Sequence, residues 1–391
     1  MANNEYDCIV IGGGIGGAAA TLRAAQYHLK TLWVKGTRKT AKASRGKYVL
    51  NIDNMIGVHP GIMLNQVKKT LAADQFQEAV AQLNQETFHI GTQEIIDNVI
   101  ERIEKQFAEW VTFADQKAVE IKKAGDIFTI LLQEKPDSQQ LQEVTTDSVI
   151  LSTGVMDRLP EVKKTIKSGR EVDDIKWVFP FSNLERLLYC IRCEGHLVSR
   201  GAAVIIGYSE VACQVGLMLK ERYNVPITMV TNGELLQAAQ TTRKLMDHHG
   251  IAVETSRIVG FDDQQEGEEP VKKKAGSDLH AILLEDNTRV TARYGLVSLG
   301  LHRVYNELAI QLGAQLEKSD DPDNVKRVLV DDYSAETNIP GLFCVGDMAT
   351  RKDGGPSMMQ IYTAQEYAVR AIDTVDRRLR KVQRAAILGK N

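Results

Sequence analysis

The chain of 391 residues predicts an α/β protein with two Rossmann-like three-layer nucleotide-binding domains, the first discontinuous in sequence. Three observations carry the prediction. Near the N-terminus a short apolar strand runs into a glycine-rich turn and a small-residue helix. The same strand–turn–helix–strand order returns near residue 203. A later apolar block ends in Gly346-Asp347 and leads into another helix.

Taken in order, the first strand is read over Asp7 to Ile11, its helix over about Gly16 to Tyr27, and the next strand over Thr31 to Val34. Leu64 to Ala108, rich in Gln, Glu and Lys, reads mostly as helix. Phe128 to Leu132 and Ser148 to Leu151 read as strands. The second unit has strands at Ala203 to Ile206 and Ile227 to Val230, flanking a helix over about Val211 to Tyr223. Gln264 to Lys274 is polar and charged, as in a surface loop. Leu342 to Val345 is the last strand; Gln360 to Val375 is helical, and Arg377 to Lys390 is a basic helical stretch. The expected domain borders are 1–160 and 296–391 for the discontinuous domain and 161–295 for the other.

Composition narrows the function. Hydrophobic residues make up 43% and charged residues 25%, as in a globular protein with a real core. A net charge of −3 gives no reason to expect nucleic acid or membrane as partner. No apolar run reaches the roughly 18 residues of a membrane span. The N-terminus has no basic and apolar signal-peptide pattern, so the cytoplasm is the expected compartment. Three of the five cysteines, Cys8, Cys213 and Cys344, sit singly in apolar segments and read as small core hydrophobes. The other two form Cys190-Ile191-Arg192-Cys193, a CxxC beside a strand–turn–helix pattern, which points to redox chemistry. Zinc would want four ligands, and no second Cys/His pair lies near, so no metal is expected.

The first turn, Gly12-Gly13-Gly14-Ile15-Gly16-Gly17, fits GxGxxG between a strand and a helix. Gly12 permits the tight turn, Gly14 the approach of a diphosphate, and Gly17 close helix–strand packing. The helix N-terminus then faces the phosphates. Lys35 stands where an acid for a ribose is usual.

Further residues make the chain resemble the low-molecular-weight thioredoxin reductases, flavoproteins with two dinucleotide domains. Thr337-Asn338-Ile339-Pro340-Gly341-Leu342-Phe343 followed by Gly346-Asp347 is similar to their second FAD motif. The resemblance implies FAD as cofactor, with Asp347 on the ribityl chain and Gln360 at the flavin pyrimidine edge. Met359 stands where the family often has Arg. Ser152-Thr153-Gly154, then Pro160, resembles the crossover motif. Asn51 to Gly61, with Asn54 and Gly57, resembles the flavin-facing segment. Cys193 lies fourteen residues before Gly207, the family's position for its cysteine pair. The family's CxxCDG reads here Cys190-Ile191-Arg192-Cys193-Glu194-Gly195.

By resemblance, Cys193 exchanges electrons with the flavin and Cys190 attacks a disulfide of thioredoxin or another dithiol protein. Glu194 is the candidate general acid, and His196 a weaker candidate helper. A homodimer is implied. The second Rossmann turn, Gly207-Tyr208-Ser209-Glu210-Val211-Ala212, carries Ser in place of the middle Gly and an acid where phosphates would lie. After the next strand, Thr231-Asn232-Gly233-Glu234 has no Arg for a 2′-phosphate. The electron donor is thus left among NADPH, NADH and an iron–sulfur protein. Lys35, Arg38, Lys39, Lys42, Arg45 and Lys47, with no acid among them, are either a solvated loop or a docking face for an acidic carrier. Two other functions fit the same scaffold: a ferredoxin/NAD(P)H-type flavin reductase, and a redox-sensing flavoprotein without turnover.

Overall fold

In the computed structural model, which describes residues 5–36, 44–47, 52, 54–55, 72, 91–135, 138, 140–165, 167–263, 277–318, 325–353 and 358–389, Cys8–Ile11 forms strand β1. All four of its residues are buried, as an unbroken apolar run requires of a strand covered on both faces. Helix α1 (Ile15–Gln26) follows, its Gly and Ala positions lying close on the sheet. Strand β2 (Thr31–Val34) pairs parallel with β1. Helix α2 (Thr92–Gln106) precedes β3 (Val111–Ala114), which pairs parallel with β2. Strands β4 (Lys117–Ala124), β5 (Ile127–Gln133) and β6 (Leu141–Thr146) make an antiparallel meander. Here the period is two: Phe128, Ile130 and Leu132 are buried and their neighbours are not. Strand β7 (Val149–Leu151) returns to lie parallel to β1, and β8 (Val155–Asp157) comes after it.

A hairpin of β9 (Val162–Thr165) and β10 (Glu171–Asp174) opens the next part, followed by α3 (Val178–Asn183), β11 (Leu187–Leu188) and the short α4 (Ile191–Glu194). Then come β12 (Ala203–Ile206), α5 (Glu210–Tyr223), β13 (Ile227–Val230), α6 (Gln240–His248) and β14 (Ala252–Glu254). Strands β15 (Ile258–Asp262), β16 (Ala281–Leu284) and β17 (Arg289–Thr291) are antiparallel, and β18 (Tyr294–Val297) completes a parallel sheet of order β11-β18-β12-β13-β14.

Strand β19 (Leu301–Val304) pairs with β8. After α7 (Glu307–Gln311) and β20 (Val328–Val330), strand β21 (Leu342–Cys344) joins β7 and gives the first sheet its order β21-β7-β1-β2-β3. Strand β22 (Ala349–Arg351) pairs with β20, and α8 (Ile361–Ile387) packs against α1.

The chain divides into two units, Met1–Lys47, Thr92–Met156 and Leu301–Asn391 in one, Tyr48–Gly91 and Asp157–Gly300 in the other. In the first, Ile9, Ile11, Leu32 and Val34 pack against Phe128, Ile130 and Val144 of the meander. Val10 and Trp33, on the opposite face, pack against Ala20, Ala24, Ile103, Ala371 and Ile372 of α1, α2 and α8. This is a three-layer arrangement with a parallel sheet in the middle. In the second unit, Ile205, Leu217, Met229 and Leu296 centre one core between sheet and helix.

The predicted α/β fold with parallel sheets is present, and most predicted strand borders agree within a residue. One difference concerns the last helix. Residues 360–375 and the basic stretch beyond form a single helix, because no Gly or Pro separates Val375 from Ile387. Of the helical reading over 64–108, α2 covers Thr92–Gln106; most of the rest, and all of 264–274, lies outside the described residues. No helix among the described residues is long and apolar enough to cross a membrane.

Candidate active site

The CxxC segment sits in the second unit, directly after β11. Cys190 leaves the strand in an extended conformation and is the N-cap of α4; Cys193 lies on that helix. The two are disulfide-bonded, with Cα atoms 5.3 Å apart. Both residues are half-buried. The Cys193 N–H points at Cys190 Sγ from 3.2 Å. The same donor would stabilise negative charge on that sulfur after reduction.

Glu194 lies behind the pair and is 4% exposed. Its Oε2 accepts hydrogen bonds from the N–H of Tyr189 (3.0 Å) and of Cys190 (3.3 Å). Burial pushes its pKa up from 4.5 to about 7; those two N–H bonds pull the other way, and the charges of Glu185 and Asp157 add to the rise. The carboxyl group can therefore hold a proton near neutrality, within one turn of the disulfide. The Tyr189 hydroxyl is paired with Ser182 Oγ at 2.8 Å, and burial raises its pKa. Neither Tyr189 nor Ser182 was marked by a sequence motif; only folding brings α3 against this turn. His196 lies exposed.

The glycine turn of the first unit has the geometry of a cradle. Gly12 has φ +130°, and a Cβ there would lie 2.3 Å from the Ser152 carbonyl oxygen. A Cβ on Gly17 would lie 2.0 Å from the Gly12 carbonyl oxygen. A Cβ on Gly14 would meet nothing within 4 Å. Gly14 is also the N-cap of α1, with no side-chain cap and no acid in the first turn. A helix N-terminus of this kind leaves N–H donors directed at open space, which suits a diphosphate. Trp33 holds the turn from the next strand, its indole N–H donating to the Gly12 carbonyl at 2.9 Å.

Gly346 and Asp347 lie at the same corner. A Cβ on Gly16 would lie 3.2 Å from Val345 Cγ2 and 3.8 Å from the Gly346 nitrogen. Gly346 has φ +75°, in the region glycine favours. Thr153 donates to the Tyr305 carbonyl and lies 3.1 Å from Met348 Sδ; Gly154 has φ +76°. Gln360 is the N-cap of α8 and is 5% exposed, its N–H bonded to Thr363 Oγ1 at 3.1 Å. The structure thus brings Gly12, Gly14, Gly17, Thr153, Gly154, Gly346, Asp347 and Gln360 into one unit, whereas Asn54 groups with the other. Sequence reasoning named Arg45 only as part of the basic stretch and missed its contact with this site, where its Nη1 donates to Asp347 Oδ2 at 2.6 Å. Lys35 pairs with Asp115 at 3.4 Å. Two of the six cations in that basic stretch therefore meet acids of this chain; Arg38, Lys39 and Lys42 lie outside the described residues.

The second Rossmann turn differs from the first. A Cβ on Gly207 would lie 2.5 Å from the Ser298 carbonyl oxygen, so the tight turn is kept. But α5 is capped by its own Ser209, whose Oγ accepts from the Ala212 N–H at 3.3 Å. Glu210 accepts from the Ala239 N–H (2.8 Å), the Thr242 hydroxyl (2.6 Å) and Gln214 Nε2 (2.9 Å), bonds that lower its pKa. A fixed carboxylate and a filled cap stand where the first turn has open donors. Folding also brings Arg257 alongside Gly233, although the segment after β13 contains no Arg.

The family model for pyridine nucleotide-disulphide oxidoreductases matches residues 6–368. No curated protein matches the sequence. Among solved structures, a thioredoxin reductase from Streptococcus pyogenes superposes with a TM-score of 0.67 at 18% identity, covering 96% of this chain and 98% of its own. A thioredoxin reductase from Giardia duodenalis gives 0.64 at 16% identity, with 96% and 99% covered. An oxidoreductase from Agrobacterium tumefaciens gives 0.64 at 19%, with 96% and 98% covered. At such identities these likenesses speak for the fold. The family match spans most of the chain, both glycine turns and the cysteine pair, and on it the chain belongs to the pyridine nucleotide-disulphide oxidoreductase family.

Proposed function

We propose that the protein is an FAD-dependent disulfide oxidoreductase that reduces a disulfide of thioredoxin or a similar dithiol protein. The observation that carries this reading is the half-buried Cys190–Cys193 disulfide with the carboxyl of Glu194 buried behind it. The fold likeness to thioredoxin reductases supports the substrate class.

The glycine cradle fits FAD, since Gly14 leaves room for the diphosphate and α1 offers uncapped donors; on the resemblance, Asp347 and Gln360 would take the ribityl chain and the ring edge. FAD held there would supply two reducing electrons for the disulfide. Reduction breaks the Cys190–Cys193 bond and leaves two sulfurs that share two protons with their surroundings. Cys190 attacks the partner disulfide as thiolate, forming a mixed disulfide and expelling the partner's other sulfur. Glu194 donates the proton that the leaving sulfur takes up. Cys193 then attacks Cys190 and re-forms the pair; its proton goes to the second partner sulfur, which leaves as a thiol, and Glu194 regains from solvent the proton that Cys190 gave up on becoming a thiolate.

The family description implies a pyridine nucleotide, but the second unit does not fit one. Ser209 fills the cap of α5, and Glu210 places negative charge at the same end. We therefore propose an electron donor other than NADPH or NADH, an iron–sulfur protein being the leading class. One observation favours the other reading: Arg257 against Gly233 supplies a cation near the end of β13. A cytoplasmic homodimer is proposed on the resemblance.

Dithionite titration of the purified flavoprotein tests the central assignment. Uptake of about four electrons per FAD is expected, two by flavin and two by the disulfide. Cys190→Ser and Cys193→Ser should each take up about two and lose protein-disulfide reduction while keeping FAD. Two-electron uptake by the wild type would favour a flavin reductase without a redox-active pair. Four-electron uptake without turnover on any dithiol protein would favour a sensor.

A further inference from the structure

Arg45 belongs to a short turn, Arg45–Lys47, that follows β2 in the first unit. Its Nη1 lies 2.6 Å from Asp347 Oδ2 and 3.5 Å from Met359 Sδ. The side chains of Arg45 and Asp347 are 20% and 22% exposed. Met359 directly precedes Gln360, the N-cap of α8. Asp347 directly follows Gly346, which lies against the first turn of α1. One guanidinium and the positive ends of two long helices thus share a corner that holds the Asp347 carboxylate. Taking an ion pair largely out of water gains little by itself, because desolvation offsets the attraction. The arrangement gains its use when an anion enters.

We propose that Arg45 is a cofactor-binding residue of this chain: its guanidinium orients Asp347 and engages the diphosphate of the dinucleotide in the Gly12–Gly14–Gly17 cradle. Five donors in a planar fork let one Arg serve a carboxylate and a phosphate oxygen together. The cation is delivered by the turn after β2, while position 359, next to the Gln360 cap, carries an uncharged Met. The inference rests on the flavin reading above.

The test uses apoprotein of the wild type, Arg45→Met and Arg45→Lys, titrated with FAD and with riboflavin, which has no phosphate. Flavin fluorescence gives the dissociation constants, and circular dichroism melting reports the apoprotein fold. Arg45→Met should weaken FAD binding about ten- to a hundred-fold and riboflavin binding far less, by the part that acts through Asp347 alone. Arg45→Lys should retain part of the loss, as a charge without the fork. Unchanged FAD affinity in Arg45→Met overturns the proposal. So does equal weakening of FAD and riboflavin, because the residue would then act through Asp347 or the fold and not on the diphosphate. A wild-type apoprotein that binds neither flavin removes the flavin reading and this inference with it.

Discussion

Glycines 14 and 17 belong to one motif but have opposite physical roles. A methyl group on Gly17 would collide with a backbone oxygen that cannot retreat, whereas one on Gly14 would point into open space. Gly17→Ala should destabilise the apoprotein by about 1–3 kcal/mol or more. Gly14→Ala should cost the apoprotein less than about 1 kcal/mol, yet weaken FAD about ten-fold or more by keeping the phosphates off the backbone. Thermal melts and flavin titration of the two variants separate these outcomes. Glu194 gives a second prediction. Its folded pKa, about 7, lies above the ordinary 4.5 because the carboxyl is buried. Between those values the unfolded chain ionises first and binds fewer protons than the folded one. Stability due to this group is therefore full below about pH 4.5 and falls as pH rises towards 7. Glu194→Gln should flatten that slope in melts taken across the window. Disulfide reduction should fall above about pH 7 in the wild type as the acid loses its proton, and the variant should be slower by about a hundred-fold with no such fall.

Among the helices, α1 and α5 show how one strand–turn–helix pattern can serve two ends. Both begin after a buried parallel strand and a tight glycine turn. The first ends its strand on a bare cap; the second fills the cap with Ser209 and ties its first turn to α6 through Glu210. The substitutions were readable in the sequence, but not that Glu210 would serve as an acceptor for Ala239 and Thr242. The helix α8 has a comparable division along its length. Its buried positions run from Ala364 to Asp376, and Val382, Ile387 and Leu388 beyond them are exposed. Ending the chain after Lys381 should move Tm by no more than about 2 °C. Ile372→Ala, in the buried half, should cost about 2–5 kcal/mol. Differential scanning calorimetry checks both.

For the molecule as a whole, the donor is the deciding question. Mixing the oxidised flavoprotein anaerobically with NADPH, with NADH and with a reduced ferredoxin should bleach the flavin fast only with the last. Rapid bleaching by micromolar NADPH would mean that Arg257 and its surroundings bind the nucleotide despite Ser209 and Glu210. The basic stretch around Lys35 is less available as a docking face than its composition suggests, since Lys35 and Arg45 already face Asp115 and Asp347.

Order along the chain was enough to reveal two strand–turn–helix units, the glycine turns and the CxxC, because these depend on short-range sterics and on side-chain periodicity. Cys190 and Cys193 were recognisable for the same reason: three positions apart on one turn, they meet wherever that turn goes. The burial of Glu194, the Tyr189–Ser182 pair, the Arg45–Asp347 contact and the place of Arg257 all needed the folded chain. Each joins segments that no local pattern links, up to 302 residues apart for Arg45 and Asp347. Desolvation and ion pairing depend on distance in space, and only packing sets that distance.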